Sequence, residues 1–319
     1  LTLPIILVVA GISLGKGKAA AAPATREAEQ SAKSVTTGDL PAMRPRDALI
    51  GPPFVTCRNW VVADAASGTL IGESDSGSAV DVASTTKIMT AYVILELVRT
   101  EGKLLDQPVT FSDRAARTSG SSCDLKPGEA LPLREMLFAL LLPSGNDAAV
   151  ALAEHLGKRF EPATRKGADE PLARFVAEMN RTAKRLEMSA TRYVNPNGLP
   201  EKGHVSSARD LVRLTVAARR HALFREIAAT RQHNVEVVGR DGKRRTLTWK
   251  NTNRLLAIAG YSGVKTGYTR SAGSCLVSTG ERGKDSLIVV VLGAPSAAAA
   301  VTDSRNLYRW AWRERGHRE

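Results

Sequence analysis

Apolar residues along this chain follow two periods, and the two alternate in blocks. Trp60-Val61-Val62-Ala63, the turn Ala65-Ala66-Ser67-Gly68 and Thr69-Leu70-Ile71 read as a β-hairpin. A helical period then takes over. Ile88, Tyr92, Leu95 and Val98 fall near helical spacing, predicting a helix from about Ser84 to Thr100. Leu133 to Leu142 and Asp147 to Leu156 predict two more helices, separated by the breaker Pro143-Ser144-Gly145-Asn146. Another runs from about Leu172 to Leu186, and Ser207 to Ala217 begins the next. The short period returns late, in Val264-Lys265-Thr266, Cys275-Leu276-Val277-Ser278 and Leu287-Ile288-Val289-Val290-Val291-Leu292, strands punctuated by glycines. A terminal helix carries Leu307, Trp310 and Trp312. Strands at both ends with helices between imply an α/β fold of the α+β type: an antiparallel sheet flanked by helices, with a helical inserted region. The hairpin-like spacing of the late strands argues against a doubly wound sheet, and no solenoid repeat is present.

Two stretches stand outside this pattern. Leu1 to Leu14 is an apolar run broken by Thr2, Pro4 and Ser13, shorter than the roughly 20 residues of a spanning helix. With the small residues Ala19 to Ala22 behind it, residues 1–22 are expected to be a signal peptide or N-terminal anchor. Lys16 and Lys18 are unusual so close to a cleavage site. Residues 23–53, rich in Ala, Pro and charge, read as a linker. That leaves 54–315 as one folded domain, with no C-terminal β domain expected.

Charge changes the picture in one respect. Of 319 residues, 45 are Lys or Arg and 32 are Asp or Glu, a net charge of +13, which suits an anionic partner. Only 5% are aromatic, and no basic–aromatic stripe or finger spacing occurs, so nucleic acid is not the expected partner. Anionic lipid and the acidic polymers of a cell envelope, such as wall polymer, remain compatible with the charge, which does not choose between them. A chain 43% hydrophobic and 24% charged is not wholly disordered. Cys57, Cys123 and Cys275 are too far apart for a C-x-x-C motif, and their odd number rules out a fully paired disulfide framework.

Nucleophilic catalysis needs a hydroxyl beside a base, with donors for an oxyanion. Three segments could supply them. Ser84-Thr85-Thr86-Lys87 puts a hydroxyl and an amine one helical turn apart, on one face. Taken alone it is a weak signal, and the ordinary reading is an N-cap serine and a solvated lysine. Ser144-Gly145-Asn146 offers a hydroxyl and an amide between two apolar helices, or merely a helix stop and an N-cap. Lys265-Thr266-Gly267 lies on a strand, where an exposed edge lysine is the ordinary reading. Their order along one chain outweighs the three ordinary readings, because S-x-x-K, S-x-N and K-T-G occur in that order in serine acyl enzymes.

At this point the sequence resembles the low-molecular-mass penicillin-binding proteins, specifically serine D-alanyl-D-alanine carboxypeptidases. The likeness extends from about Val61 to Trp310. Val82-Ala83-Ser84-Thr85-Thr86-Lys87-Ile88-Met89-Thr90-Ala91 is similar to the family's P-A-S-x-T-K-I-M-T-A, with Val82 in place of proline. Leu141-Leu142-Pro143-Ser144-Gly145-Asn146-Asp147-Ala148-Ala149 resembles its L-x-x-S-G-N-D-A block. Asn195-Pro196-Asn197-Gly198-Leu199, Ser206-Ser207-Ala208-Arg209-Asp210, Asn251-Thr252-Asn253-Arg254-Leu255-Leu256 and Gly263-Val264-Lys265-Thr266-Gly267-Tyr268-Thr269 complete the match.

The resemblance implies a β-lactamase/transpeptidase-like fold and an exported enzyme acting on peptidoglycan stem peptides that end in D-Ala-D-Ala. Ser84 is then the nucleophile, Lys87 its base and Ser144 the proton relay to the leaving D-alanine. Asn146 and Lys265 hold and tune the site, Thr266 binds the terminal carboxylate, and the backbone N–H groups of Ser84 and Tyr268, the latter just past Gly267, form the oxyanion hole. β-Lactams are expected as covalent inhibitors; no metal or organic cofactor is implied. One departure stands out. The family's arginine a few residues past the G-A that ends the last strand is missing after Gly293-Ala294, and the nearest substitute in sequence is Arg305. Carboxylate binding is therefore expected of Thr266 and Lys265, or of Arg305.

Three alternatives remain. A class A-like β-lactamase would need a deacylating glutamate, for which Glu161-Pro162 and Glu170-Pro171-Leu172 are superficial candidates without a following Leu-Asn pair. A D,D-endopeptidase would share every motif. A non-catalytic envelope-binding module would keep the fold without the reaction. Of the histidines, His204 sits close enough to Ser206 to touch the site's rim, though a surface or packing role is the expectation. Cys275 is expected to be a buried core thiol.

Overall fold

The computed structural model describes residues 51–161 and 170–317. The expected signal or anchor over 1–22, and the linker up to residue 50, lie outside them. The first hairpin forms as read: β1 (Asn59–Asp64) pairs antiparallel with β2 (Leu70–Ser74). Its turn closes through Gly68 at φ +77°, a left-handed conformation that costs glycine little. A 3-10 turn, Ala83–Thr86, leads into α1 (Lys87–Thr100). The short strands β3 (Pro108–Thr110) and β4 (Ala130–Pro132) pair around the single-turn α2 (Asp113–Ala116). Five helices follow: α3 (Leu133–Leu141), α4 (Asn146–Gly157), α5 (Pro171–Arg185), α6 (Ala208–Ala218) and α7 (Ala222–Ala229). A second hairpin, β5 (Gln232–Val238) and β6 (Arg244–Lys250), precedes β7 (Tyr261–Thr269), β8 (Gly273–Arg282), β9 (Asp285–Ala294) and the closing helix α8 (Ala297–Glu314).

The main sheet has the order β2-β1-β9-β8-β7, antiparallel throughout. Both of its faces are covered, which explains why β9 is an unbroken apolar run with no polar alternation. Leu287, Val289 and Val291 turn to one side and join Trp60, Leu307 and Tyr308 beneath α8. Ile288, Val290 and Leu292 turn to the other, into the core shared with α1, α3, α4 and α6. Trp310 seals the α8 side so tightly that a Cβ on Gly72 would meet its ring at 2.4 Å. The antiparallel sheet flanked by helices, with helices inserted between its first and last strands, matches the expected fold class.

Three differences have physical reasons. The expected helix from Ser84 divides at Lys87, because Ala83 enters with φ +48° and the first turn closes as 3-10. The β5–β6 hairpin was not anticipated. Only Val235, Val237 and Trp249 of its residues are buried, and the charged outer face masks so short an alternation. The small elements α2, α7, β3 and β4 carry too few residues to display a period.

Candidate active site

The centre of the site is the entry to α1. That helix is enclosed almost all round, with Ile88, Met89, Ala91 and Ile94 fully buried. Its first residue, Lys87, is therefore also fully buried, at 0% exposure. The Lys87 Nζ lies 2.9 Å from Ser84 Oγ, 2.7 Å from Asn146 Oδ1 and 2.7 Å from the Asn197 carbonyl oxygen. The last two atoms are pure acceptors. A neutral amine has two hydrogens and one lone pair, so donating to both leaves the lone pair for the Ser84 hydroxyl. Burial, and then the neighbouring Lys265 charge, push the Lys87 amine well below its usual range, with Asp147 opposing. Lys265 is itself 1% exposed, and burial brings it down to about 7. The pair thus favours a neutral Lys87, which is the form that can take a proton.

Two glycines press this turn into place. A Cβ on Gly198 would meet the Ala83 carbonyl oxygen at 2.0 Å, and one on Gly267 would meet Ser84 N at 3.0 Å. Gly198 also carries φ +86°. Its loop is tied down by Asn195 Oδ1 accepting from Gly198 N, and by Asn197 Oδ1 accepting from Leu199 N. The Asn195–Leu199 block thereby aims the Asn197 carbonyl at Lys87, a role that sequence reading did not assign because a main-chain oxygen leaves no side-chain signature.

The inter-helix turn brings the second group. Ser144 is 5% exposed and sits at φ +66°, a left-handed conformation that costs a non-glycine residue about 1 kcal/mol or more. Asn146 is not a cap: its Nδ2 donates to the Ser119 carbonyl oxygen while its Oδ1 receives Lys87. Asp147, at the N-terminus of α4, accepts from Ser122 Oγ at 2.6 Å and from Cys123 N. It anchors the loop that faces Asn146.

The third group lies on β7, an edge strand. Thr266 shares a 2.6 Å hydrogen bond with Thr252, a second partner that sequence reading had quoted but given no task. Tyr268 stands at the rim, 68% exposed. Ser84, Ser144, Thr266, Gly267 and Tyr268 line one cleft of about 610 Å³, with Lys87, Asn146 and Lys265 buried behind it. Arg254 lines the same cleft.

Other candidates fall elsewhere. Arg305 lines a separate cavity with Tyr261, Tyr308 and Trp312 and does not line the cleft of Ser84. That expectation is corrected: α8 turns Arg305 toward the far end of the sheet. Neither Glu161 nor Glu170 lines the cleft, and Glu170 pairs with Arg114 at 2.7 Å. Cys275 is 2% exposed and burial raises its thiol to about 11, as a core thiol requires, although it touches the inner end of the cleft.

His204 is a packing residue. It is 3% exposed, its Nδ1 accepts from Val194 N at 3.1 Å, and its Nε2 lies 2.8 Å from Thr86 Oγ1. Burial holds it down to about 4, against 6.5 for a free imidazole. Between those values the unfolded chain binds a proton that the folded one refuses. Stability should therefore fall as pH drops from 6.5 toward 4, by up to about 3 kcal/mol from this group. Denaturant melts at pH 7 and pH 4.5 check this: a His204→Gln variant should lose less stability than the wild type over that range.

Comparisons with known proteins reach the same blocks. The family description "D-alanyl-D-alanine carboxypeptidase", peptidase S11, matches residues 48–296. The D-alanyl-D-alanine carboxypeptidase DacF of Bacillus subtilis is 34% identical over 239 residues, which cover 74% of this chain and 57% of that protein. A D-alanyl-D-alanine carboxypeptidase of Streptomyces sp. strain K15 is 31% identical over 293 residues, 88% of this chain and 97% of its own. The crystal structure of the Streptomyces K15 DD-transpeptidase superposes with a TM-score of 0.76 at 30% identity, over 83% of this chain and all of that one. The chain thus spans little more than half of the Bacillus relative and nearly all of the Streptomyces one. The fold is that of the DD-transpeptidases. Because the family match runs unbroken from before the serine turn to beyond the lysine strand, this chain belongs to the D-alanyl-D-alanine carboxypeptidase family, peptidase S11.

Proposed function

We propose that this protein is a serine D,D-carboxypeptidase that removes the terminal D-alanine from peptidoglycan stem peptides in the cell envelope. The observation that carries this reading is the buried Lys87 amine, whose Nζ lies 2.7 Å from Asn146 Oδ1, 2.7 Å from the Asn197 carbonyl oxygen and 2.9 Å from Ser84 Oγ; with the first two as acceptors, a neutral amine keeps its lone pair for the serine. Ser84 attacks the carbonyl carbon of the penultimate D-alanine as its hydroxyl proton passes to Lys87. The backbone N–H groups of Ser84 and Tyr268 receive the oxyanion. The C–N bond then breaks, and the proton reaches the departing amine through Ser144. Water hydrolyses the acyl ester and restores Ser84. Thr266, braced by Thr252, receives the terminal carboxylate.

A β-lactam places a strained amide and a carboxylate in the same positions, so it acylates Ser84. Among the described residues no carboxylate lines the cleft to activate the deacylating water, which supports a long-lived adduct. Residues 1–22 would direct export. The net charge of +13 would favour anionic wall polymer or a lipid surface as a peripheral contact.

The test uses purified protein with a fluorescent penicillin and with diacetyl-L-lysyl-D-alanyl-D-alanine. The expected result is a durable covalent label together with D-alanine release. Rapid penicillin turnover without D-alanine release would mean a β-lactamase. Cleavage of cross-linked muropeptide dimers in preference to stem termini would mean an endopeptidase, and absence of label a binding module.

A further inference from the structure

A substrate that ends in a carboxylate needs a fixed countercharge in the cleft, and the groups expected to supply it fall short. Lys265 lies buried behind the cleft, donates from Nζ to the Thr266 carbonyl oxygen at 3.0 Å, and is held by burial at about 7. At neutral pH it is charged only part of the time. The Thr266 hydroxyl is uncharged and already shared with Thr252. Pro295, Ala297, Ala300 and Val301, which also line the cleft, carry no charge. Arg305 lines another cavity.

We propose that Arg254 supplies the countercharge for the substrate carboxylate that Thr266 receives; the inference rests on the carboxypeptidase reading above. Among the described residues, Arg254 is the one charged side chain that lines the cleft, two positions along the chain from Thr252, whose hydroxyl meets that of Thr266. It is exposed, and among the described residues it has neither a carboxylate nor a hydrogen-bond partner of its own. A guanidinium without a protein counterion at a cleft wall is available to an incoming anion, and its planar fork suits a carboxylate bidentately.

The base of the side chain is firmly set. Arg254 opens a 3-10 turn whose preceding residue, Asn253, is buried and accepts from Leu255 N through Oδ1 at 3.0 Å. Leu255 is fully buried beside Leu276 and Ala300. A fixed stem with a free head makes a directional receptor with little ordering cost on binding.

The test compares two acyl donors on the full-length protein: the D-Ala-D-Ala peptide with its free carboxylate, and a D-alanyl thioester whose leaving group is uncharged. Arg254→Ala should lower kcat/KM for the peptide by about 100-fold and leave the thioester within about 3-fold of wild type. Arg254→Lys should fall between. Arg305→Ala should behave as wild type on both donors. Equal loss on both donors by Arg254→Ala would mean that the residue merely supports the fold, and unchanged peptide turnover would mean that the carboxylate binds elsewhere; either result overturns the proposal. A wild type inactive on both donors would sink the carboxypeptidase reading itself, and this inference with it.

Discussion

Ser84→Ala abolishes covalent penicillin labelling and lowers D-alanine release on the order of 10⁴-fold or more, while the protein melts as wild type does. The stability half of this expectation follows from what the Ser84 hydroxyl touches. Its contact is Lys87 Nζ, and the side chain is half-exposed at the cleft. The turn around it is held by other means. Thr85 Oγ1 donates to the Val82 carbonyl oxygen at 2.7 Å, and Gly198 and Gly267 pack directly on Ala83 and Ser84. Losing one oxygen should leave that packing intact. The catalytic half follows from the absence of a substitute nucleophile beside the Lys87 lone pair. Gel fluorescence and a D-alanine assay read the two outcomes separately. A label that survives in the variant would move the nucleophile to another serine of the cleft, with Ser144 the first to examine.

Lys87→Met should lower the acylation rate by about 10³-fold or more, and through a different cause. The methionine keeps the length and shape of the buried stem but has no lone pair to receive the Ser84 proton. Because burial and Lys265 hold the wild-type amine well below its usual range, wild-type acylation should reach its plateau far below pH 10.5. The variant should have no such plateau. Its residual rate should climb with pH as solvent hydroxide takes over the proton. Stopped-flow acylation across pH checks both limbs. The substitution also leaves Asn146 Oδ1 and the Asn197 carbonyl without their donor, at about 1–3 kcal/mol each, offset in part by removing a desolvated amine. A melt run in parallel separates that effect from catalysis. A wild-type-like plateau in the variant would remove Lys87 from the proton path.

Much of this site was legible because its chemistry is carried by side chains in short local blocks. The spacing of Ser84 and Lys87 puts both on one face of a helical turn, and the structure brings Lys87 Nζ to 2.9 Å from Ser84 Oγ. The apolar run Leu287–Leu292 announced a strand, and β9 is that strand, buried on both faces. Gly145 and Pro143 marked the break between α3 and α4 that presents Ser144. Such features depend on neighbours a few residues away, so periodicity and breakers suffice to read them.

What the sequence did not contain was the meeting of distant segments. The Asn197 carbonyl reaches Lys87 across 110 positions, and Thr86 meets His204 across 118. No local period encodes either contact. His204, expected in a surface or packing role, is a buried packing residue whose Nδ1 accepts from Val194 N and Asn195 N, contacts that no local period encodes. Arg305 was the nearest arginine along the chain after β9, yet α8 carries it to another cavity, while Arg254, some 50 residues earlier by the numbering, lines the cleft. The sequence by itself determined the longer elements, the antiparallel α/β class and the candidate residues Ser84, Lys87, Asn146 and Lys265. The tertiary structure alone decided which amine is desolvated, which carbonyls engage its hydrogens, and which guanidinium faces the cleft. Those properties arise from burial and from the distance between segments far apart in sequence, and both come into existence only when the chain has closed on itself.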